Sequence, residues 1–300
     1  MAIQRSDYVD ALDANLAQFY QDGILRWPEE YSKVANVMNS NKASEVTSYA
    51  SGFGTMPEKN EGVAASYDQV LAGIKTTFTH KTYAQGYEIT EEAIEDNLRT
   101  AETFNKLPSA LARSGIETVE TTFFNLFNNG FTNTGFDGKV LFATDHPTLD
   151  GGTQSNRPST QADLSVTSLT AGLTAMSKFT DERGLKRPLK AQTLLVPSDL
   201  WNIADELLRS EYKPFTGNNE VNAIQEKALQ WMEGHYLTDT DAWFLLAPKD
   251  MHRLIFWWRI RLGALKRGTD FDTTNLKHLA RMRFSVGYDH WIGTYGSAGA

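Results

Sequence analysis

The best candidate for acid–base chemistry in this 300-residue chain is the pair Asp145-His146, followed directly by Pro147. A carboxylate beside an imidazole could serve a hydrolase if both side chains reached a cleft. The apolar residues 140–142 predict a short strand just before the pair. In the interpretation that we favour, Asp145 caps a turn and Pro147 fixes the loop. We therefore predict no catalytic residue and no enzyme.

The sequence lacks the other common motifs of metal and cofactor sites. Its six histidines form neither HxH nor HExxH, and it contains no cysteine. No serine stands in a G-x-S-x-G elbow, and no phosphate-binding loop occurs. Gly52-Phe53-Gly54 lacks the third glycine of a dinucleotide fingerprint, because Pro57 stands there. Asp239 and Asp241 could hold a hard cation, but a solvated turn is favoured. We predict no cofactor and no metal.

Positive charge is concentrated in residues 253–283, which we call the basic band. The band has eight lysines and arginines and two acids, whereas the whole chain has a net charge of −8. Such asymmetry suits nucleic-acid contact or pairing between copies. Trp257-Trp258 could stack bases, but a strand buried on both faces is favoured. No groove-reading motif is present. We interpret the band as an interface or a lumen surface, with contacts from Arg259, Arg261, Arg267, Arg281 and Arg283.

Residues 74–89 favour a strand but offer no apolar face. Thr, Tyr and Ile prefer the pleated conformation. Every second residue of a strand lies on the same face, and both faces of this segment mix apolar and polar residues. Neither face could be sealed against a core, and open strand edges invite aggregation. Removing residues 66–86 is expected to leave the core folded. We expect the partner of this segment to be another copy of the chain, contacted through Lys75, Phe78, Lys81, Tyr83 and Tyr87.

A long acidic helix is predicted after this segment, over residues 90–129. Pro108 is expected to interrupt or kink it, and Asn128-Asn129-Gly130 marks its end. Acids near a helix N-terminus are favourable because of the helix dipole. Those in the first turns are predicted to meet the arginines of the basic band, within or between subunits. They are Glu91, Glu92 and Glu95.

The remaining pattern predicts an α+β fold, because helices and strands do not alternate regularly. With 41% hydrophobic residues the chain can build a sizeable core. The first residues have no apolar signal sequence, and the longest apolar run, residues 254–258, is too short to cross a membrane. An amphipathic helix is predicted at 7–21, and strands are predicted at 193–196, 243–246, 253–262 and 282–286.

Three segments taken together resemble the major capsid proteins of tailed bacteriophages. Residues 188–208 (PLKAQTLLVPSDLWNIADELL) are similar to the strand–proline–helix passage of those proteins. Residues 236–247 (YLTDTDAWFLLA) and 283–297 (RFSVGYDHWIGTYGS) are similar to segments that follow it. The order of these segments and the chain length most resemble the Mu-like major head subunit family.

This resemblance implies the Hong Kong 97-type capsid fold, with each region of the chain in a defined part. It places the extended E-loop before the long spine helix at 90–129. Its expected regions are an N-terminal arm at 1–50, the E-loop at 51–89, a P domain at 90–184, an A domain at 185–250, P-domain return strands at 251–283, and a C-terminal A-domain tail at 284–300.

The implied function is that of a structural subunit. Members of the family form hexamers and pentamers that close into an icosahedral shell around packaged double-stranded DNA, assembled in the host bacterial cytoplasm. The expected partners are other copies, a separate scaffolding protein, a portal, a possible decoration protein, and DNA held by non-specific contact; no membrane is involved. Alternatives are an encapsulin-type nanocompartment, a phage tail-tube subunit, and the hydrolase that would use Asp145 and His146.

Overall fold

The computed structural model describes residues 5–90, 92, 101–212 and 221–300. Its long helix continues through Pro108 and ends at Asn128, so Pro108 does not interrupt it, and the predicted end is confirmed. Residues 91 and 93–100 of the predicted helix lie outside the described residues. The first helix begins at Arg5 and extends past the predicted 7–21. The helices are α1 (Arg5–Arg26), α2 (Tyr31–Val34), α3 (Ala101–Asn128), α4 (Val166–Ser177) and α5 (Trp201–Arg209).

The described strands form two larger sheets and two small ones. The predicted strand at 140–142 is absent; Val140 forms only an isolated bridge with Thr134. The strands are β1 (Asn36–Asn39), β2 (Ser44–Ala50), β3 (Ala72–Thr79), β4 (Lys81–Ile89), β5 (His146–Pro147), β6 (Thr153–Gln154), β7 (Thr193–Val196), β8 (Gln230–Glu233), β9 (Trp243–Leu246), β10 (Leu254–Ile260), β11 (Lys266–Thr269), β12 (Leu276–Tyr288) and β13 (Thr294–Ser297).

The five-stranded sheet, which we call the larger sheet, is organised around β12. This strand pairs with β10 and β11 along one edge and with β4 along the other. The short strand β1 adds to β10 in parallel. Alternate residues of β12 are buried, among them Ala280, Met282 and Phe284. The helices α1 and α3 pack on each other, and α3 packs on the sheet.

The second sheet has the order β13-β9-β7-β8. All four residues of β9 are buried, which fits a strand covered on both faces. Here the predicted strands at 193–196 and 243–246 are confirmed. The chain reaches this sheet again through β13, after β12 has continued to Tyr288. The expected boundary at 283 therefore falls inside a strand, five residues before β12 ends.

Aromatic side chains of α3 join the two sheets in one core. Phe127 lies 5.1 Å from Phe244 of the second sheet and 6.4 Å from Phe142, between ring centroids. On the other side, Phe123 lies 6.3 Å from Tyr31 of α2, whose ring is 4.6 Å from Phe256 of the larger sheet. All of these side chains are buried. The mixed α+β class is confirmed.

Candidate subunit interface

The segment predicted to need a second copy divides at His80 into two strands with different surroundings. From Lys81 to Ile89 it is β4, which pairs with Leu276–Phe284 over nine consecutive residues. The ring of Tyr83 stacks on Phe284 at 4.9 Å, and Tyr87 stacks on His278 at the same distance. The argument that residues 81–89 lack a partner in their own chain is therefore wrong.

The outcome for the five predicted contact residues is mixed. Phe78 is buried and lies against Gly287, and Tyr83 and Tyr87 are partly buried in their own chain. Only Lys75 and Lys81 are exposed. Contact of these five residues with another subunit stays a prediction, now carried mainly by the two lysines.

The part of the segment before His80 belongs to a projecting ribbon. Strand β3 pairs only with β2, and the two form a two-stranded sheet. Ser44 lies opposite Thr79 at one end of this pairing, and Ala50 lies opposite Ala72 at the other. Between these strands, residues 51–71 form an irregular loop with many exposed apolar side chains. Met56 is 98% exposed and Tyr67 96%, which is unusual for side chains of this size. The others are Phe53, Val63, Val70 and Leu71.

Polar contacts fasten the base of this loop to the body of the chain. Ser51 and Leu71 close its neck, since Ser51 N–H donates to the Leu71 carbonyl at 3.0 Å and Leu71 N–H donates to Ser51 Oγ at 2.9 Å. Asp68 accepts the Gly54 N–H at 2.9 Å and pairs with Arg183 at 2.5 Å. The Gly54 N–H and then Arg183 lower the pKa of the Asp68 carboxyl. The loop therefore projects in a defined direction.

The pairing predicted between the helix acids and the arginines falls largely outside the described residues. Glu91 and Glu95 lie outside the described residues, and Glu92 is exposed. Arg261 lies 5.7 Å above the ring of Trp258, and Arg283 Nε donates to the His80 carbonyl at 3.4 Å. The pKa of His80 is lowered, mainly by burial of its imidazole and then by the positive charges of Arg283 and Arg259.

The other two arginines of the predicted interface lie on β11 and β12. Arg267 is exposed and Arg281 is half-buried. Charge pairing between the five arginines and the helix acids stays a prediction.

A buried carboxylate that the sequence analysis missed joins three parts of the chain. Glu120 of α3 is fully buried, and its two oxygens accept the N–H groups of Glu30 at 2.8 Å and Tyr31 at 2.9 Å. Glu30 in turn lies 2.6 Å from Nδ1 of His235. Burial raises the pKa of Glu120 to about 7, against the opposing effect of the two N–H donors. The sequence held one signal for this site, which is that a glutamate stands on the inner face of a predicted helix.

The candidate catalytic pair does not form. Asp145 is exposed and pairs with Lys139, whereas His146 is fully buried. His146 Nδ1 lies 2.6 Å from Asp137, and Nε2 lies 3.1 Å from Asn156. The imidazole also stacks on Trp291 at 4.7 Å. The hydrolase interpretation paired His146 with Asp145, and this pairing is wrong. His146 is enclosed in a structural network, and the carboxylate that it contacts belongs to Asp137.

The described ranges contain no cluster of three or more metal-ligating side chains. The Asp239 carboxylate accepts the N–H of Asp241 at 3.1 Å, as in a local turn. No helix in the described part of the chain is long and apolar enough to cross a membrane.

Comparison with known proteins identifies relatives of this chain. The profile of a family described as "Phage capsid protein" matches residues 74–296. The Mu-like prophage FluMu major head subunit of Haemophilus influenzae is 29% identical over 162 residues, which is 52% of this chain and 50% of that protein. The major capsid protein of Escherichia phage Mu is 24% identical over 139 residues, covering 46% and 44% respectively. The chain thus matches about half the length of these curated relatives.

A solved structure is similar over almost the whole chain. In the procapsid of bacteriophage JBD30, one chain superposes with a TM-score of 0.53 at 19% identity. The match covers 98% of this chain and 76% of that one. At this identity the likeness concerns the fold, which is that of a phage capsid subunit.

Proposed function

Because the chain belongs to the phage capsid protein family, we propose that it is the major structural subunit of a phage head. Copies assemble as hexamers and pentamers into an icosahedral shell that encloses double-stranded DNA. The chain acts by self-association and catalyses no reaction. It resides in the virion after assembly in the cytoplasm of a bacterial host.

The projecting loop is the observation within the molecule that carries this proposal. Residues 51–71 expose several large apolar side chains on a ribbon that is fastened at its base by Arg183 and Asp68. A single chain gains nothing from exposing Met56 and Tyr67, whereas a neighbouring copy could bury both. We propose that this loop lies over an adjacent subunit.

The parts of the capsid fold then follow the two sheets. We place the projecting E-loop at residues 44–79 instead of 51–89, because β4 belongs to the larger sheet. The larger sheet and α3 form the P domain, with α3 as the spine helix. The second sheet forms the A domain, completed by β13. Residues before β1 form the N-terminal arm.

We further propose that charge pairing sets the register between copies. Arg259, Arg261 and Arg267 offer positive charge to acids of a neighbour or of the segment at Glu92. Reversing Arg261 together with Arg267 is expected to prevent assembly at low salt. Reversal of exposed Arg209, which lies outside the basic band, is the matched control. Normal shells from the double reversal would contradict this part of the proposal.

Negative-stain electron microscopy of the purified chain tests the main proposal. Closed shells are expected, with the protein alone or after co-expression with a scaffolding protein. Rods would instead indicate a tail-tube subunit, and dispersed protein under both conditions would contradict shell assembly.

The content of the shells separates a phage head from an encapsulin-type compartment. Nuclease-resistant DNA, with a portal at one vertex, is expected in particles from infected or induced cells. A co-purifying enzyme in place of DNA would favour the compartment. Decoration proteins would be found as additional density on the outer surface.

A further inference from the structure

Two histidines contact the buried side chain of Trp291. The imidazole of His146 stacks on the indole, with 4.7 Å between ring centroids and 12° between ring planes. His290, the preceding residue of the chain, lies 5.6 Å from the same ring. Each imidazole is buried and contacts a carboxylate, which belongs to Asp137 for His146 and to Glu182 for His290. The two sites have similar parts, but their hydrogen bonds differ.

The hydrogen bonds of His290 fix it as a neutral imidazole. Its Nδ1 lies 3.0 Å from the N of Ile292, whose N–H it accepts, so this nitrogen carries no proton. Its Nε2 lies 2.8 Å from one oxygen of Glu182 and donates to it. The other oxygen of Glu182 accepts the N–H of Leu149 at 3.0 Å. One donor and one acceptor nitrogen are what a neutral ring offers.

His146 instead faces an acceptor on each side. Its Nε2 lies 3.1 Å from Oδ1 of Asn156. The orientation of this amide is fixed, because Oδ1 also accepts the N–H of Ala143 at 2.9 Å and Nδ2 donates to the carbonyl of Leu141 at 2.8 Å. On the other side, Nδ1 of His146 lies 2.6 Å from Oδ2 of Asp137. A ring between two acceptors needs a proton on both nitrogens.

The surroundings of Asp137 favour the charged form of this pair. Its side chain is only 3% exposed, and its Oδ1 accepts the N–H of Lys139 at 3.0 Å. The ammonium group of Lys139 pairs with Asp145 instead. Among the described residues, no lysine or arginine pairs with Asp137. A buried carboxylate needs a cation beside it, and a cation over an indole face is attracted by that ring.

The other titratable groups around the pair do not replace this cation. Asp145 precedes His146 in the chain, but it is exposed and held by Lys139. Tyr288 of β12 stays neutral, because burial and then the charge of Asp137 raise the pKa of its phenol. On the far side of the indole, the pair of Glu182 and a neutral imidazole supplies no positive charge. The cation beside Asp137 is therefore His146 itself.

The contact of His146 with Asn156 fastens the β5–β6 hairpin to β13. Asn156 lies two residues after β6; its carbonyl accepts the N–H of Gly296 at 3.1 Å, and its Nδ2 lies 3.4 Å from the hydroxyl of Thr294. If His146 lost one proton, a lone pair would face either Oδ1 of Asn156 or the carboxylate of Asp137. Either arrangement places two acceptors against each other in a buried site, which is unfavourable.

We propose that His146 is a buried imidazolium that clasps the β5–β6 hairpin to β13, and that the clasp loosens when hydroxide removes its proton. The proposal concerns one subunit and does not depend on the assembly of shells. His290, beside the same indole, has no such role, because its ring is already neutral.

Nuclear magnetic resonance of the full chain, labelled with ¹⁵N in its histidines, tests the protonation. At pH 7 both ring nitrogens of His146 are expected to carry a proton, whereas in His290 only Nε2 does. A single protonated nitrogen on His146 at this pH overturns the proposal. Spectra can be recorded on unassembled subunits in solution or on shells in the solid state, so failure of the proposed function leaves this test intact.

Hydrogen exchange tests the loosening of the clasp. As the pH is raised and His146 loses its proton, the protection factors of the Ala143 and Gly296 amides should fall at least tenfold. The amides of Leu149 and Ile292 belong to the network of the neutral histidine and should keep their protection. Unchanged protection of all four amides overturns the proposal. Equal loss at all four overturns it as well, because that pattern indicates general unfolding.

Asp137→Asn should make the clasp insensitive to pH. The new amide can donate to Nδ1 of a neutral His146, whose Nε2 still donates to Asn156, so both contacts survive without the charge. In this variant His146 should carry one ring proton at pH 7, and the alkaline loss of protection should disappear. Asp145→Asn, which changes the neighbouring carboxylate, is the matched control and should behave as the wild type. An alkaline loss that persists in Asp137→Asn overturns the proposal.

Discussion

The strands on the two sides of His80 have similar residue types but different environments. Ala72–Thr79 pairs only with β2 and forms the stem of a projecting ribbon. Lys81–Ile89 pairs with β12 and forms one edge of the larger sheet. Both contain threonine, lysine and single apolar residues in alternation, so neither shows a continuous apolar face.

The difference between them comes from the partner that each strand meets. Strand β12 places Met282 and Phe284 beside Tyr83, so a few aromatic contacts are enough to bury one face of β4. Strand β2 supplies mostly polar and small residues to β3, and only Phe78 is buried there. A strand with a mixed pattern can therefore belong to a core or project from it, and its neighbours decide which.

The largest effect is expected from removing the aromatic partner of β4. Phe284 is buried, with its ring 4.9 Å from Tyr83 and 5.1 Å from Phe256. Phe284→Ala should lower the free energy of unfolding by about 3–5 kcal/mol, because it leaves a cavity in the core. Urea denaturation measures this loss. Leu279→Ala, on the same strand but 40% exposed, should cost about 1 kcal/mol or less. Equal losses would mean that β4 is not part of the core.

The attachment of the N-terminal segment should depend on pH through Glu120. Burial raises its folded-state pKa from 4.5 to about 7, so the folded chain binds more protons than the unfolded chain between these values. Its contribution to stability is present below pH 4.5 and is lost as the pH rises through 7. A shift of this size corresponds to roughly 3 kcal/mol at most.

Comparison with Glu120→Gln isolates this contribution. The amide cannot ionise, but its NH₂ group would face one of the two N–H donors, so the variant should be less stable at low pH. Its unfolding free energy, measured from pH 4.5 to 8, should decline less steeply than that of the wild type. Parallel profiles for the two proteins would contradict the prediction.

A smaller effect is expected from adding one methyl group to β4. A Cβ at Gly86 would lie 2.3 Å from the His278 carbonyl oxygen, so the backbones of β4 and β12 must move apart. Gly86→Ala should cost about 1–3 kcal/mol in thermal or urea unfolding. Gly268→Ala on β11 has open space and should be nearly neutral. If Gly86→Ala were equally neutral, the close pairing of β4 with β12 would be wrong.

The smallest effect on stability is expected in the projecting loop. Met56→Ser with Tyr67→Ser should change the free energy of unfolding by no more than about 0.5 kcal/mol, because both side chains are almost fully exposed. The same double variant should nevertheless fail to form shells in electron microscopy. Assembly at wild-type yield would show that the loop is not an intersubunit contact.

A deletion sharpens the comparison between the two strands. The expectation that the core stays folded without residues 66–86 is wrong, because Lys81–Gly86 belongs to β4 of the core sheet. Replacing residues 54–69 with a short glycine-rich turn should leave the fold intact and abolish shells. Removing 66–86 should unfold the larger sheet as well.

Much of the fold could be predicted from local pattern. Residues 194–196 and 243–246 are continuous apolar runs, which are typical of strands buried on both faces, and the end of α3 is marked by an Asn-Asn-Gly sequence. Pro108 misled the prediction, because one proline removes one hydrogen bond and a packed helix can tolerate this. The pairing of His146 with Asp137 was missed, because the nearer Asp145 is adjacent only along the chain.

The amino-acid pattern alone was enough to predict the mixed α+β class, the buried strands of the second sheet, the concentration of positive charge in residues 253–283, and the resemblance to phage capsid subunits. The pairing of distant segments was needed to show that β4 belongs to the core and β3 to the projecting ribbon, and that Glu120 is buried between three segments. Local composition reports the preference of each segment for helix or strand. Burial is a property of pairs of segments far apart in the chain, and it is set when the strands pair.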